Sequence, residues 1–146
     1  MRPPMTDGSI NAAADTFPAR GSELRRIGTF LNDFCTRQGV GREHCLRINL
    51  VVEELFTNTV RHGHRGDSDA PVWLSVDAEP NEVHIVYEDT APPFNPYALF
   101  AGSGPDVTAP LQKIGGLGVL LTRELAATRD YAYLFGRNRI RLTLKQ

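Results

Sequence analysis

Cysteine is scarce in this chain: only Cys35 and Cys45 occur among 146 residues. They fall on what read as two separate helices, so the sequence predicts buried free thiols in a reducing compartment, and no zinc site. An excess of one charge is also missing. The net charge of -1 leaves no global basic surface to draw nucleic acid, and direct nucleic-acid binding is not expected. No apolar run approaches the ~18 residues that suggest a membrane span. The polar, proline-containing start lacks the apolar core of a signal peptide, and a cytoplasmic protein without membrane contact is predicted. The Gly-Lys-Ser or Gly-Lys-Thr of a Walker A loop is absent, which excludes ordinary P-loop chemistry. None of the serines sits in a nucleophile elbow, and the four histidines show no metal-ligand spacing.

What is present describes one ordinary domain. Hydrophobic residues make up 41% and charged residues 23% of the chain, enough to bury a core without disulfides or a structural metal. Residues 1–9 read as a flexible tail and residues 10–146 as a single domain. Residues 10–17 could form a poor edge strand. From Ser22, a suitable N-cap, Leu24, Ile27, Leu31, Phe34 and Cys35 recur at helical spacing as far as Gly39. A second helix is predicted over 42–62, with Leu46, Leu50, Val51, Leu55 and Phe56 as its apolar surface and Gly63 as its stop. Alternation over 72–77 and 83–88, joined by Glu79-Pro80-Asn81, predicts an antiparallel hairpin. Residues 90–114, rich in Pro, Gly, Ala and Ser, read as a lid-like loop. A third helix is predicted from 116 to about 128, and a second hairpin from 131–135 and 140–144 across Gly136-Arg137-Asn138. This order implies an α+β, two-layer sandwich with helices on one face of a mainly antiparallel sheet.

Three places carry candidate chemistry. Glu54, Asn58 and His62 follow one another at spacings of four and share a helix face. Glu54 is flanked by apolar residues, so its carboxylate would be partly buried and would need a partner or a task. The Asn58 amide costs helix propensity in mid-helix, but its carbonyl oxygen suits a hard Mg²⁺ ion that takes few protein ligands. His62 is equally explained by the helix dipole. Asp89 ends a strand, where it would either cap a turn or accept a hydrogen bond from an exocyclic amine of a base. Phe94 and the prolines before it either pin the loop or wall a base pocket. Gly115, Gly116 and Gly118 precede an apolar helix, whose exposed N–H groups suit phosphates, and Lys113 could add a positive charge.

Taken in order, these segments resemble the ATP-binding domain of the GHKL (Bergerat) superfamily, and most closely its stand-alone anti-sigma-factor serine/threonine kinases. Residues 50–63 resemble the N box, and 89–96 the adenine-binding box with its Phe94-Asn95-Pro96 ending. Residues 115–121 resemble the second glycine box, and 136–144 the last hairpin. The resemblance implies a Bergerat fold that binds ATP and Mg²⁺, with Glu54 as general base and Asn58 as the magnesium ligand. It also implies that Asp89 reads adenine, with further nucleotide contacts from His62, Ala91, Phe94, Lys113, Gly116, Leu117, Gly118 and Thr143. Ala91 stands where the family pattern has glycine, and strain is expected there if the backbone needs a positive φ. By the same resemblance the partners would be a sigma factor and a small anti-sigma-factor antagonist, phosphorylated on a Ser or Thr. The first helix would offer a homodimer or sigma-binding face. Only about twenty residues precede that helix, which predicts a stand-alone regulator rather than a sensor kinase. The rival expectation is a non-catalytic, partner-switching module of the same fold.

Overall fold

A computed structural model of the chain describes residues 11–95 and 126–146. The predicted tail at 1–9 lies outside the described residues, as do Pro96, Lys113, Gly115, Gly116, Leu117, Gly118 and nearly all of the third helix. The residues described form a five-stranded antiparallel sheet in the order β1-β2-β3-β5-β4, with two helices packed on one face. The strands are β1 (Ala12–Pro18), β2 (Pro71–Glu79), β3 (Glu82–Asp89), β4 (Thr128–Leu134) and β5 (Arg137–Lys145), and the helices are α1 (Leu24–Gln38) and α2 (Arg42–Asn58). Ala126 and Ala127 are not helical and β4 begins at Thr128, so a helix reaching about 128 is not found. Among the described residues no helix is long and apolar enough to cross a membrane.

The sheet follows from alternation. Val83, Ile85, Tyr87 and Asp89 of β3 are buried while their neighbours are half-exposed, and Asn138, Ile140, Leu142 and Leu144 do the same on β5. These inward side chains meet Ile27, Leu31, Phe34, Ile48, Val51, Val52 and Phe56 from the helices in one core, the arrangement expected when a one-sided sheet meets apolar helix stripes. β1 is an edge strand paired only with β2. It contributes Phe17, whose ring meets Phe30 edge-on at 5.9 Å and carries the Arg26 guanidinium at 4.4 Å, so the strand is anchored by one aromatic.

Several sequence expectations are corrected. Ser22 does not cap α1 with its side chain: residues Gly21–Glu23 form a short 3₁₀ turn, and the Gly21 N–H goes to Asp67 Oδ1 at 2.9 Å. The C-terminus is as expected, with Gly39 left-handed at φ 68°. On α2 the buried stripe is His44, Ile48, Val51, Val52, Leu55 and Phe56, whereas Leu46 and Leu50 are 59% and 44% exposed. At about 100° per residue those two fall on the face opposite the stripe. The second hairpin turns at Phe135 and Gly136, both of positive φ (52° and 78°), as a two-residue turn of the primed type needs. Arg137 and Asn138 therefore belong to β5 and not to the turn.

Cys35 and Cys45 are free thiols that face each other across the two helices. Burial, reinforced by hydrogen bonding and charge repulsion from Cys45, pushes the Cys35 thiol far above its ordinary range, so it behaves as an inert core group.

His44 is 5% exposed, and both ring nitrogens lack a hydrogen-bond partner among the described residues. Burial first, and then the nearby Arg47, lowers its pKa below the ordinary 6.5. The unfolded chain therefore takes up a proton near the ordinary value, while the folded chain resists until lower pH. The stability from this group is full above about 6.5 and is lost as pH falls toward the folded value. Thermal melts at pH 7.5 and 5.5 should show a larger drop for the wild type than for His44→Leu; equal drops would mean that His44 is not coupled to folding.

Candidate functional site

The helix that carries the first motif does not stay α-helical to its end. After Asn58 it widens into a π-helical turn, Thr59–Gly63, and the His64 N–H reaches back five residues to the Thr59 carbonyl at 2.9 Å. The cause lies in Thr59. Its hydroxyl lies 3.1 Å from the Leu55 carbonyl and donates to Asp89 Oδ2 at 2.7 Å, drawing the backbone toward the sheet at the point where the extra residue is accommodated. Such single π turns concentrate at functional sites.

Between this helix end and the ends of β3 and β5 lies a cavity of about 360 Å³, within the range of small-ligand sites. Leu55, Asn58, Thr59, His62, Gly63 and Arg65 line one wall. Tyr87, Asp89, Ala91, Pro92, Pro93, Phe94, Asn138 and Ile140 line the other. The sequence candidates Asn58, His62, Asp89, Ala91 and Phe94 are thus brought together.

Glu54 and Thr143 are not among the residues lining that cavity. Glu54 stands half-buried one helical turn before Asn58. Its pKa is raised, chiefly by burial and then by the neighbouring Glu53, with Arg61 opposing. Thr143 is displaced for a simple reason: β5 turns Ile140, Leu142 and Leu144 inward, so Thr143 faces the other side of the sheet, opposite His84 of β3.

Asp89 is held at three points in the cavity wall. Oδ1 accepts the Ala91 N–H at 3.1 Å and the Asn138 amide at 2.9 Å, while Oδ2 accepts the Thr59 hydroxyl. Asp89 therefore caps a turn, and it also borders the cavity. Asn138 also donates to the carbonyls of Ala91 at 2.9 Å and Pro92 at 3.2 Å. Its own oxygen accepts the Phe94 N–H at 3.0 Å and the Tyr131 hydroxyl. One amide thus fastens the loop that carries Phe94 to the last hairpin.

Thr59, Tyr87 and Asn138 escaped the sequence reading. Thr59 and Tyr87 are not singled out in the sequence, and Asn138 reads there as part of a turn. The signal for Asn138 lay in the strand register: it pairs directly with Asp89, and both face inward. Arg65, another cavity residue, takes a left-handed φ of 62°, uncommon for its type.

The cavity residues suit a magnesium nucleotide in one testable respect. Asn58 Oδ1 is buried and has no hydrogen-bond partner among the described residues, a hard oxygen ligand left open at the cavity wall. No group of three or more His, Cys, Asp or Glu able to hold a metal occurs among the described residues.

Ala91 does not carry the strain expected of it, since it is absent from the positive-φ residues. It meets another constraint instead. A Cβ built on Gly63 would lie 2.7 Å from the Ala91 methyl, so the helix end and the loop touch because one of the pair lacks a side chain. Gly63→Ala should lower stability by ~1–3 kcal/mol, the usual cost of overpacking, in urea unfolding. Adding Ala91→Gly should restore most of the loss; no restoration would show that the contact is not the cause.

A family model described as a histidine kinase-like ATPase domain matches residues 17–144. Among solved structures, the RsbU and RsbW domains of Rv1364c from Mycobacterium tuberculosis superpose with a TM-score of 0.64 at 15% identity. That match covers 92% of this chain but 32% of the other, so the present chain spans about a third of that protein. The SiaB-SiaC complex from Pseudomonas aeruginosa gives a TM-score of 0.63 at 13% identity, covering 97% of this chain and 94% of the other. At these identities the likeness concerns the fold. No curated protein sequence is significantly similar to the chain.

Proposed function

The chain belongs to the histidine kinase-like ATPase domain family, and from that premise we propose that it binds Mg·ATP and transfers the γ-phosphate to a serine or threonine of a small anti-sigma-factor antagonist. In its other state it would sequester a sigma factor. The observation that carries this reading is one cavity with a tethered Asp89 on one wall and, on the facing wall, Asn58, whose Oδ1 has no hydrogen-bond partner among the described residues. Asp89 supplies an acceptor for the amine of adenine, with Pro92, Pro93, Phe94 and Ile140 as apolar walls. Asn58 would hold Mg²⁺, which when bound offsets charge on the phosphate oxygens. Glu54, one turn before Asn58 on the same helix, would take the hydroxyl proton of the acceptor residue, and its raised pKa makes it a stronger base than an ordinary glutamate. Leu46 and Leu50, exposed at spacings of four before Glu54, offer apolar contact to the protein that brings the hydroxyl. The partners are those of the family resemblance, and the two solved neighbours, one with an RsbW domain and one a SiaB-SiaC complex, support a partner-switching role.

The second reading is a non-catalytic binding module that exchanges partners without transfer. One observation favours it: Glu54 is not among the residues lining the described cavity.

Transfer from labelled ATP to the antagonist separates the two. Under the kinase reading Glu54→Gln abolishes transfer and keeps ATP affinity. The rate then falls as pH drops through the Glu54 pKa, on a limb above that of an ordinary glutamate. Glu53→Gln should move that limb down and Arg61→Gln should move it up, because they remove the second raising cause and the opposing one. Wild-type binding without transfer would establish the module.

A further inference from the structure

Thr59 has one hydroxyl proton and three acceptors within reach: the Leu55 carbonyl at 3.1 Å, the Tyr87 hydroxyl at 2.6 Å and Asp89 Oδ2 at 2.7 Å. The carboxylate takes it, because a hydrogen bond to a charged acceptor is roughly twice as strong as a neutral one. With its proton committed, Thr59 meets the Tyr87 hydroxyl only as an acceptor. Tyr87 donates across 2.6 Å in preference to the Leu55 carbonyl at 3.2 Å. Both protons therefore point the same way, from Tyr87 through Thr59 to Asp89. The chain is buried: Tyr87 is 2% and Asp89 7% exposed.

The carboxylate has about four lone-pair positions. Two on Oδ1 are filled by the Ala91 N–H and the Asn138 amide, and one on Oδ2 by Thr59. A single acceptor position is left for a ligand. That position accepts an exocyclic amine and repels a carbonyl oxygen in the same place.

We propose that Thr59 and Tyr87 are positioning residues for base selection, a hydroxyl relay that holds Asp89 with one acceptor position open, matched to the 6-amino group of a purine. This rests on the nucleotide reading above and extends it to two residues behind the carboxylate. They act through Asp89, so their effect must vanish for a ligand that makes no bond to it.

The test compares Mg·ATP with Mg·purine-riboside triphosphate, which lacks the 6-amino group, by calorimetry on wild type, Thr59→Val, Thr59→Ser and Tyr87→Phe. Thr59→Val should weaken ATP about tenfold or more, the worth of a hydrogen bond to a charged group, and Tyr87→Phe about fivefold, that of a neutral one. The purine-riboside analogue should bind all four proteins alike, and Thr59→Ser, which keeps the hydroxyl, should retain wild-type preference. If Tyr87→Phe does not fold, the Thr59 pair carries the same comparison. Equal losses for both nucleotides, or none for either, would overturn the relay and leave the nucleotide site standing. Failure of the wild type to bind either nucleotide would overturn both.

Discussion

The three-point tether of Asp89 is the interaction on which the site depends. Thr59 reaches it from the helix layer, the Ala91 N–H from the loop beyond β3, and Asn138 from β5. Each of these segments has its own backbone need. The π turn must close, the loop must leave the sheet, and the hairpin must enter it. One buried carboxylate answers all three, because it can accept several donors at once where a neutral group could not. The cost of burying its charge is offset by those donors. The cavity exists because the segments are held at this separation and no closer.

The fold was readable where periodicity was strong. α1 carries five apolar residues at helical spacing and ends at a left-handed glycine, and β2 and β3 alternate cleanly, so each was legible residue by residue. α2 was legible as a helix but not in its phase. Leu46 and Leu50 are apolar, yet the burial stripe runs through His44 and Ile48, and a buried histidine gives no hydrophobic signal. The last hairpin was displaced by two residues because Gly136-Arg137-Asn138 looks like turn chemistry. The two positive-φ positions are in fact Phe135 and Gly136, and a phenylalanine is an improbable occupant of such a position.

That small displacement hid one wall residue of the site. Placing Asn138 in a turn removed it from β5, and so from the register that pairs it with Asp89. Asn58, His62, Asp89 and Phe94 were legible because residue type and position mark them, and Ala91 entered only through the family resemblance. Thr59 and Tyr87 were not, because a hydroxyl declares its role only through the partner that tertiary structure supplies. Ala91 carries a similar lesson: the alarm over a missing glycine concerned backbone φ, whereas the structure meets it by side-chain volume, with Gly63 opposite. Glu54 shows the reverse case. Its half-burial and raised pKa follow from the apolar neighbours visible in the sequence.

The central claim is that the Asp89 cavity holds an adenine nucleotide, and calorimetric titration with Mg·ATP and Mg·GTP, on wild type and Asp89→Asn, tests it most directly. The account predicts ATP binding with weak or absent GTP binding. In the Asn variant, where an amide replaces one acceptor oxygen, ATP affinity should fall and the preference for adenine should collapse. Equal affinity of the wild type for both nucleotides, or an Asp89→Asn protein that keeps its preference, would contradict it.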